Sequence, residues 1–239
     1  MIDIDIFRLS ASRPEMLKQS TESIQKYLKY SGKIRYIFHE DILNEKASKQ
    51  CIRYMKDNFE DGNNIIGVND PPIGHGASLT WLLDHSRAQY ILNWEDDQEL
   101  IRELDLDPVI AIMEKYPDKI NQISFHKRKV EFNHHGMEMR EIEYDGYKIV
   151  TNPHWAYVPA VWRMSYIMPI WIRATASNHH WIQNASLKGI KVNDNVMRSA
   201  QWVLENTKTF YWGPYANGAY IKHLGSGQSL RTGSYKFNE

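Results

Sequence analysis

Cysteine is nearly absent from this chain: Cys51 is the single one among 239 residues. No disulfide can therefore form within the chain, which fits a reducing compartment, and the helical spacing around Cys51 marks it as a packing residue. Net charge is absent too, since 29 Lys and Arg balance 29 Asp and Glu, and there is no basic tail or polybasic run. That balance argues against general nucleic-acid binding. Long hydrophobic runs are also missing. The longest, residues 166–172, is interrupted by Pro169 and too short to span a bilayer, and the opening Met-Ile-Asp-Ile-Asp-Ile carries no basic n-region. A cytoplasmic protein without a membrane span is expected. What is plentiful is apolar and aromatic: 42% of residues are hydrophobic, with 8 Trp and 14 Tyr. That is enough for a sizeable core in one large α/β domain, or in one domain with a small appendage. Aromatic faces also stack on sugar rings, although core packing accounts for most of these residues.

The most informative stretch is residues 88–100. A short apolar run at residues 90–92 ends in Trp94 and three consecutive acids, Glu95, Asp96 and Asp97, the pattern of a buried strand emerging at a sheet edge. Neighbouring carboxylates raise one another's ionisation cost unless a cation or arginines neutralise them. A hard divalent ion with oxygen ligands is one solution, and a solvated acidic turn is the plain alternative.

The elements leading to the triplet alternate regularly. Residues 4–9 read as a strand, and Ser12 can cap a following helix that has Pro14 in its first turn, Glu15 beside it, and Leu17, Ile24 and Leu28 on one face. Gly32 follows the end of that helix, and residues 33–38 make a second strand that exits in His39, Glu40 and Asp41. A helix with Cys51, Ile52, Met55 and Phe59 at helical spacing comes next, then a strand at residues 65–68. The loop of residues 69–78 contains Gly74, His75 and Gly76 and opens a helix with Leu79, Leu82 and Leu83. Its glycines permit close approach, and amides at a helix start suit an anion. The right-handed crossover rule lays such strands in one largely parallel sheet with its ligand crevice at their carboxyl ends. The strand exits named here would face that crevice.

The order Phe7-Arg8-Leu9-Ser10 with Arg13-Pro14-Glu15, then Gly74-His75-Gly76-Ala77, then residues 90–97 resembles the nucleotide-sugar-binding half of GT-A glycosyltransferases, especially the family 2 type. The resemblance implies an α/β fold of the GT-A, Rossmann-like type: a mixed, mainly parallel central sheet flanked by helices, with a small antiparallel hairpin element. It implies a single catalytic domain over residues 1–239, with a nucleotide-sugar half at 1–100 and an acceptor half at 101–239 that includes a C-terminal metal and diphosphate loop. The triplet looks like the family's Asp-x-Asp motif, filled by Glu95 and Asp97 with Asp96 between. Asp97 would ligate a divalent metal, Mn2+ or Mg2+, that bridges the donor diphosphate. Glu95 would hold the ribose or a metal-bound water and so belong to the metal site with Asp97, with Asp96 beside it in the donor site. Ser10 and Arg13, with His39 and Glu40, would line the nucleoside pocket, and His75 and Gly76 would lie against its other side.

A second match lies near the C-terminus, where His223-Leu224-Gly225 with a later Ser and Arg231 looks like the C-terminal segment of many GT-A enzymes. The resemblance makes His223 a further metal ligand that closes the site with Asp97, while Arg231 or Lys222 would counter the diphosphate. Between the two matches, Asp107 with Pro108 starts a helix, residues 120–125 read as a strand, and Asp145-Gly146 reads as a hairpin turn. His126, His134 and His135 lack the spacing of a dedicated zinc site. Trp155, Trp162 and Trp171 are candidates for sugar stacking in the acceptor half. One departure stands out: residues 176–182, where inverting members commonly place a carboxylate base, hold none. His180 or His179 could take the acceptor proton, as could Asp194; alternatively the enzyme is retaining and needs no such base.

The leading reading is metal-dependent transfer of a sugar from a nucleotide-diphosphate donor, a UDP-sugar favoured, to a hydroxyl of a glycan or other acceptor, with inversion. A sugar nucleotidyltransferase on a related fold would be expected to carry a glycine-rich, basic N-terminal loop, and residues 10–15 have only Arg13 and no glycine. A non-catalytic carbohydrate-binding protein would leave the acid triplet and His223 without a purpose.

Overall fold

The structure is a computed structural model that describes residues 3–125, 133–134, 137–152, 159–173, 198, 201, 205–206, 208–214 and 216–225. Its centre is a nine-stranded sheet. From one edge the order is Glu141–Tyr144, Tyr147–Asn152, Thr209–Trp212, Gln122–Ser124, Ala160–Arg163, Tyr90–Asn93, Ile4–Ser10, Ile34–Asp41 and Ile65–Asn69. The last four are mutually parallel, and only Ala160–Arg163 and Tyr147–Asn152 run against the others. The mixed, mainly parallel sheet is the architecture the sequence implies.

The first strand explains why the sheet sits where it does. Every residue of Ile4–Ser10 is buried, as in a central strand covered on both faces. Ile4 and Ile6 enter one core with Ile24 and Leu92, while Phe7 and Leu9 enter another with Leu79, Leu82 and Leu83. Helices Pro14–Tyr27 and Glu45–Phe59 thus pack on one face and helix His75–His85 on the other. Asn44 caps Glu45–Phe59 by accepting from the Ala47 amide at 2.9 Å. At the far edge, Asp145 (φ 51°) and Gly146 (φ 81°) both take the left-handed conformation that a two-residue hairpin turn needs. Among the described residues no helix is long and apolar enough to cross a membrane.

Two local expectations give way to tertiary contacts. The first helix ends at Tyr27, well before Gly32, because Leu28–Lys29 leaves it to pair in parallel with Leu104–Asp105. Ser12 does not cap that helix. Arg13 is its N-cap residue, without a side-chain cap, and Ser12 is turned to another task described below.

Trp162 also differs from its expected role. It lies within Ala160–Arg163, is 0% exposed, and packs in the cluster with Phe7, Ile91 and Leu83, so no sugar reaches its ring. Trp162→Ala is expected to lower stability by about 3–5 kcal/mol, the usual cost of emptying a buried aromatic site. Urea unfolding measures this, and a loss confined to acceptor affinity would contradict it.

Away from the crevice, Asp5 ties three segments together. It accepts from Arg35 Nε at 2.8 Å and Nη2 at 2.6 Å, from Ser86 Oγ at 2.6 Å and from the Arg87 amide at 3.1 Å. Burial alone would raise its pKa, but these donors and the Arg35 charge outweigh it and hold the carboxyl below its ordinary value. The unfolded chain therefore takes up the proton first as pH falls, and stability must drop with it. This contribution is expected to be complete above about pH 4 and to drain away as pH falls through the lower folded value. Urea midpoints across that range should slope, and Asp5→Asn should flatten the slope.

Candidate functional site

The acid triplet sits where the Tyr90–Asn93 strand leaves the sheet. Its backbone keeps following the first strand, with the Trp94 amide on the Phe7 carbonyl and the Asp96 amide on the Leu9 carbonyl, each at 3.1 Å. A turn then closes through Gln98 N to the Glu95 carbonyl at 3.3 Å, and the fully buried Trp94 locks it by donating Nε1 to the Gln98 carbonyl at 2.7 Å. The chain continues as Gln98–Leu100, which pairs antiparallel with Ile221–His223. That pairing sets His223 opposite Gln98, and the Leu224 amide donates to the Asp97 carbonyl at 2.7 Å. The result is His223 Nε2 at 3.3 Å from Asp97 Oδ2. Gly225 lies so close that a Cβ there would sit 2.9 Å from the same oxygen, so the site needs a glycine at this position.

Arginines meet the acids. Arg13 Nε donates to Asp96 Oδ2 at 3.0 Å, its Nη2 meets Asp96 Oδ1, and its Nη1 donates to Asp97 Oδ2 at 3.2 Å. A fork on both oxygens is the contact an ionised carboxylate makes. Burial pushes Asp96 up to about 7, with Asp97 adding to the rise and Arg13 pulling against it. Arg13 is itself disfavoured by burial, yet Asp96 and Asp97 hold its pKa above the ordinary value. Arg8 lies beneath, fully buried, donating Nη1 to the Trp94 and Glu95 carbonyls at 3.1 and 3.2 Å and Nη2 to Ser20 and Thr21 at 2.8 and 3.1 Å. Burial lowers it to about 10, which leaves it charged at neutral pH. Sequence reasoning gave Arg8 no role. The signal was available, because an arginine inside an otherwise apolar strand must find partners in the core.

The loop that carries Arg13 is built on Ser12, whose φ of 57° lies in the left-handed region uncommon for serine. Ser12 N donates to Glu40 Oε1 at 2.8 Å, and Ser48 Oγ donates to that oxygen at 2.6 Å. Ser12 Oγ lies 2.7 Å from Ser48 Oγ and accepts from the Leu43 and Asn44 amides at 2.9 Å each. Glu40 therefore braces this turn, and burial raises its pKa. Ser10 is buried and pairs in register with Glu40. His39 is fully buried with Nε2 at 2.7 Å from Asn69 Oδ1, and burial holds its pKa down.

On the other side of the crevice, Asp41 accepts from the Ile73 and Gly74 amides at 3.2 and 2.8 Å. Asp41 thus holds two amides of the glycine loop just ahead of the helix that His75 opens. His75 opens the helix with the buried Gly76 next to it, and its Nε2 lies 2.9 Å from Glu95 Oε1. Lys222 does not join the acids. Successive strand residues point to opposite faces, and with His223 at Asp97, Lys222 Nζ instead pairs with Glu99 at 3.4 Å. His179, His180, Asp194, Arg231, Trp155, His126 and His135 lie outside the described residues, as do the side chains of His134 and Trp171.

A divalent cation fits the Asp97 and His223 pair. Adjacent ligands of an octahedral ion with bonds of about 2.1 Å lie about 3 Å apart, and Asp97 Oδ2 and His223 Nε2 stand 3.3 Å apart. A carboxylate oxygen and an imidazole nitrogen also suit manganese. Among the described residues, no group of three or more His, Cys, Asp or Glu is placed to hold a metal ion. A partial ligand set is what an ion shared with substrate phosphates needs.

No family model matches the chain, and no curated protein matches it in sequence. Solved structures do match in three dimensions. GalNAc-T7 with UDP, GalNAc and Mn2+ superposes with a TM-score of 0.65 at 9% identity, over 93% of this chain and 44% of that one. Staphylococcus aureus TarS 1–349 in complex with UDP gives 0.57 at 10% identity, over 92% and 60%. This chain has the fold of these glycosyltransferases. The mannosyltransferase PcManGT from Pyrobaculum calidifontis with GDP-Man and Mn2+ gives 0.53 at 10% identity, over 90% and 58%. The chain spans about half the length of the structures it matches.

Proposed function

We propose that the chain is a glycosyltransferase that moves a sugar from a nucleotide-diphosphate donor, a UDP-sugar favoured, to a hydroxyl of a glycan or other acceptor. The observation that carries this reading is the meeting of Asp97 and His223 at the carboxyl end of a central parallel strand, with Arg13 beside them. Ligands bind at that end of such sheets. Solved neighbours with this fold hold UDP, UDP-GlcNAc or GDP-Man, and two of them hold Mn2+. Mn2+ or Mg2+ on Asp97 and His223 would supply charge stabilisation to the departing nucleotide. The protein's own part is placement: Ser12 and Glu40 fix the loop of Arg13, and Gly225 lets the backbone close against Asp97. Transfer is taken to proceed with inversion, with His180 or His179 as the base and Asp194 as the carboxylate alternative.

Testing it takes a panel of UDP-, GDP-, CMP- and TDP-sugars with a mixture of sugar acceptors, with and without Mn2+, followed by release of the nucleotide. Release from one donor class that depends on both the cation and the acceptor is expected. Silence across the whole panel would contradict the reading.

A further inference from the structure

We propose that two copies of this chain join through the strand Ile65–Asn69, which pairs antiparallel with its own copy across a two-fold axis and continues the sheet from one subunit into the other. That strand closes one edge of the nine-stranded sheet, bonded to Ile34–Asp41 on one side and, among the described residues, to no strand on the other. An open edge is a row of unpaired amides and carbonyls, which proteins ordinarily guard with charges or proline. The opposite edge is guarded in this way: Glu141–Tyr144 carries Glu141 and Glu143, and Glu141 pairs with Lys148 at 3.1 Å. Residues 62–69, Gly-Asn-Asn-Ile-Ile-Gly-Val-Asn, hold no charge and no proline. The two asparagines that bracket the apolar residues of the strand are also turned inward. Asn64 accepts from the Tyr36 amide at 2.6 Å and donates to the Phe59 carbonyl at 3.1 Å, while Asn69 Oδ1 lies 2.7 Å from His39 Nε2.

Apolar surface collects at the same edge. Of the five exposed large apolar side chains among the described residues, Leu43, Val68 and Ile73 gather at the carboxyl end of this strand. Asn69 stands in register with Asp41, its carbonyl accepts from the Ile42 amide at 3.1 Å, and Asp41 in turn accepts from the Ile73 amide at 3.2 Å. A second copy is the occupant this edge fits. Antiparallel overlap of all five residues centres the two-fold on Gly67, setting Ile65 opposite the partner's Asn69 and Val68 opposite the partner's Ile66. By alternation Val68 shares a face with Ile66, which packs against the cluster of Phe38, Met55 and Phe59. The exposed valine of each copy thus covers an apolar side chain of the other. No like charges meet, because Asp70 falls opposite the partner's Asn64 and Asp61 lies beyond the paired residues. A charged extended segment, by contrast, would find no opposite charge on residues 62–69.

Sedimentation velocity and hydrogen exchange on the whole chain test this. Wild-type protein is expected to dimerise reversibly as its concentration rises through the micromolar range. Over the same range, the amides of residues 65–69 that face away from Ile34–Asp41 should gain protection. Val68→Lys places a charge on the edge, and because the symmetry counts each substitution twice, dimerisation should weaken by at least about a hundredfold with the circular dichroism unchanged. Val68→Thr, neutral and β-branched, should still dimerise, and so should Tyr147→Lys, an exposed position beside the opposite edge. A wild type that stays monomeric throughout would overturn the proposal, as would a dimer whose outward amides at 65–69 exchange as in the monomer, whether or not the variants fold. So would a folded Val68→Lys protein that dimerises like wild type. Protection of those amides in the monomer would mean that another segment of the same chain covers the strand, and would rule out a second copy as its occupant.

Discussion

Asp97→Asn is expected to lower Mn2+-dependent nucleotide affinity by roughly a hundredfold, the equivalent of about 3 kcal/mol for removing one charge of a desolvated set. The amide keeps the shape of the side chain, and the backbone contact from Leu224 to the Asp97 carbonyl is untouched, so the turn should remain folded. His223→Ala should cost less, about tenfold, because the ion would keep the carboxylate and the donor phosphates. Thermal melts and circular dichroism serve as controls for folding in both variants. Wild-type metal-dependent affinity in both would show that the pair at 3.3 Å is an ordinary polar contact and not a metal site.

The other large effect concerns the acceptor proton. If His180 or His179 is the base of an inverting transfer, replacing that residue by Ala should lower turnover by about two to four orders of magnitude while donor affinity stays near wild type. The product anomer must then be opposite to that of the donor, because a single displacement inverts the carbon it attacks. Proton NMR of the anomeric coupling reads this directly. Retention of configuration would remove the need for a base at either histidine, and Asp194→Asn then serves only as a control on acceptor binding.

Much of the fold could be read from the chain because its first half obeys local rules. Apolar strands at the beginning of each unit alternate with helices of regular period, and the turn residues Asp145 and Gly146 announce the hairpin. The acid triplet could be placed at a strand exit from the abrupt switch at Trp94, and His223 from its resemblance to a known segment. What could not be read were facts set by register between distant segments. The pairing of Arg13 with Asp96 depends on how the first and fourth parallel strands end side by side, which no spacing along the chain encodes. Ser12 looks like a helix cap by sequence, and only the position of Glu40 on the neighbouring strand redirects it into a brace. Trp162 had the composition of a sugar platform, and its burial follows from lying between Tyr90–Asn93 and Gln122–Ser124 in the sheet. Beside His223 in a strand, Lys222 faces the opposite way, where its Nζ meets Glu99.

The central claim is that the crevice over Asp97 takes a nucleotide together with a divalent ion, and calorimetry of UDP, GDP, CMP and TDP with and without Mn2+ tests it most directly. Saturable binding of one of these, UDP favoured, that strengthens when Mn2+ is added is the predicted result. Binding of simple sugars or glycans with no response to any of the four nucleotides, in either condition, would contradict it.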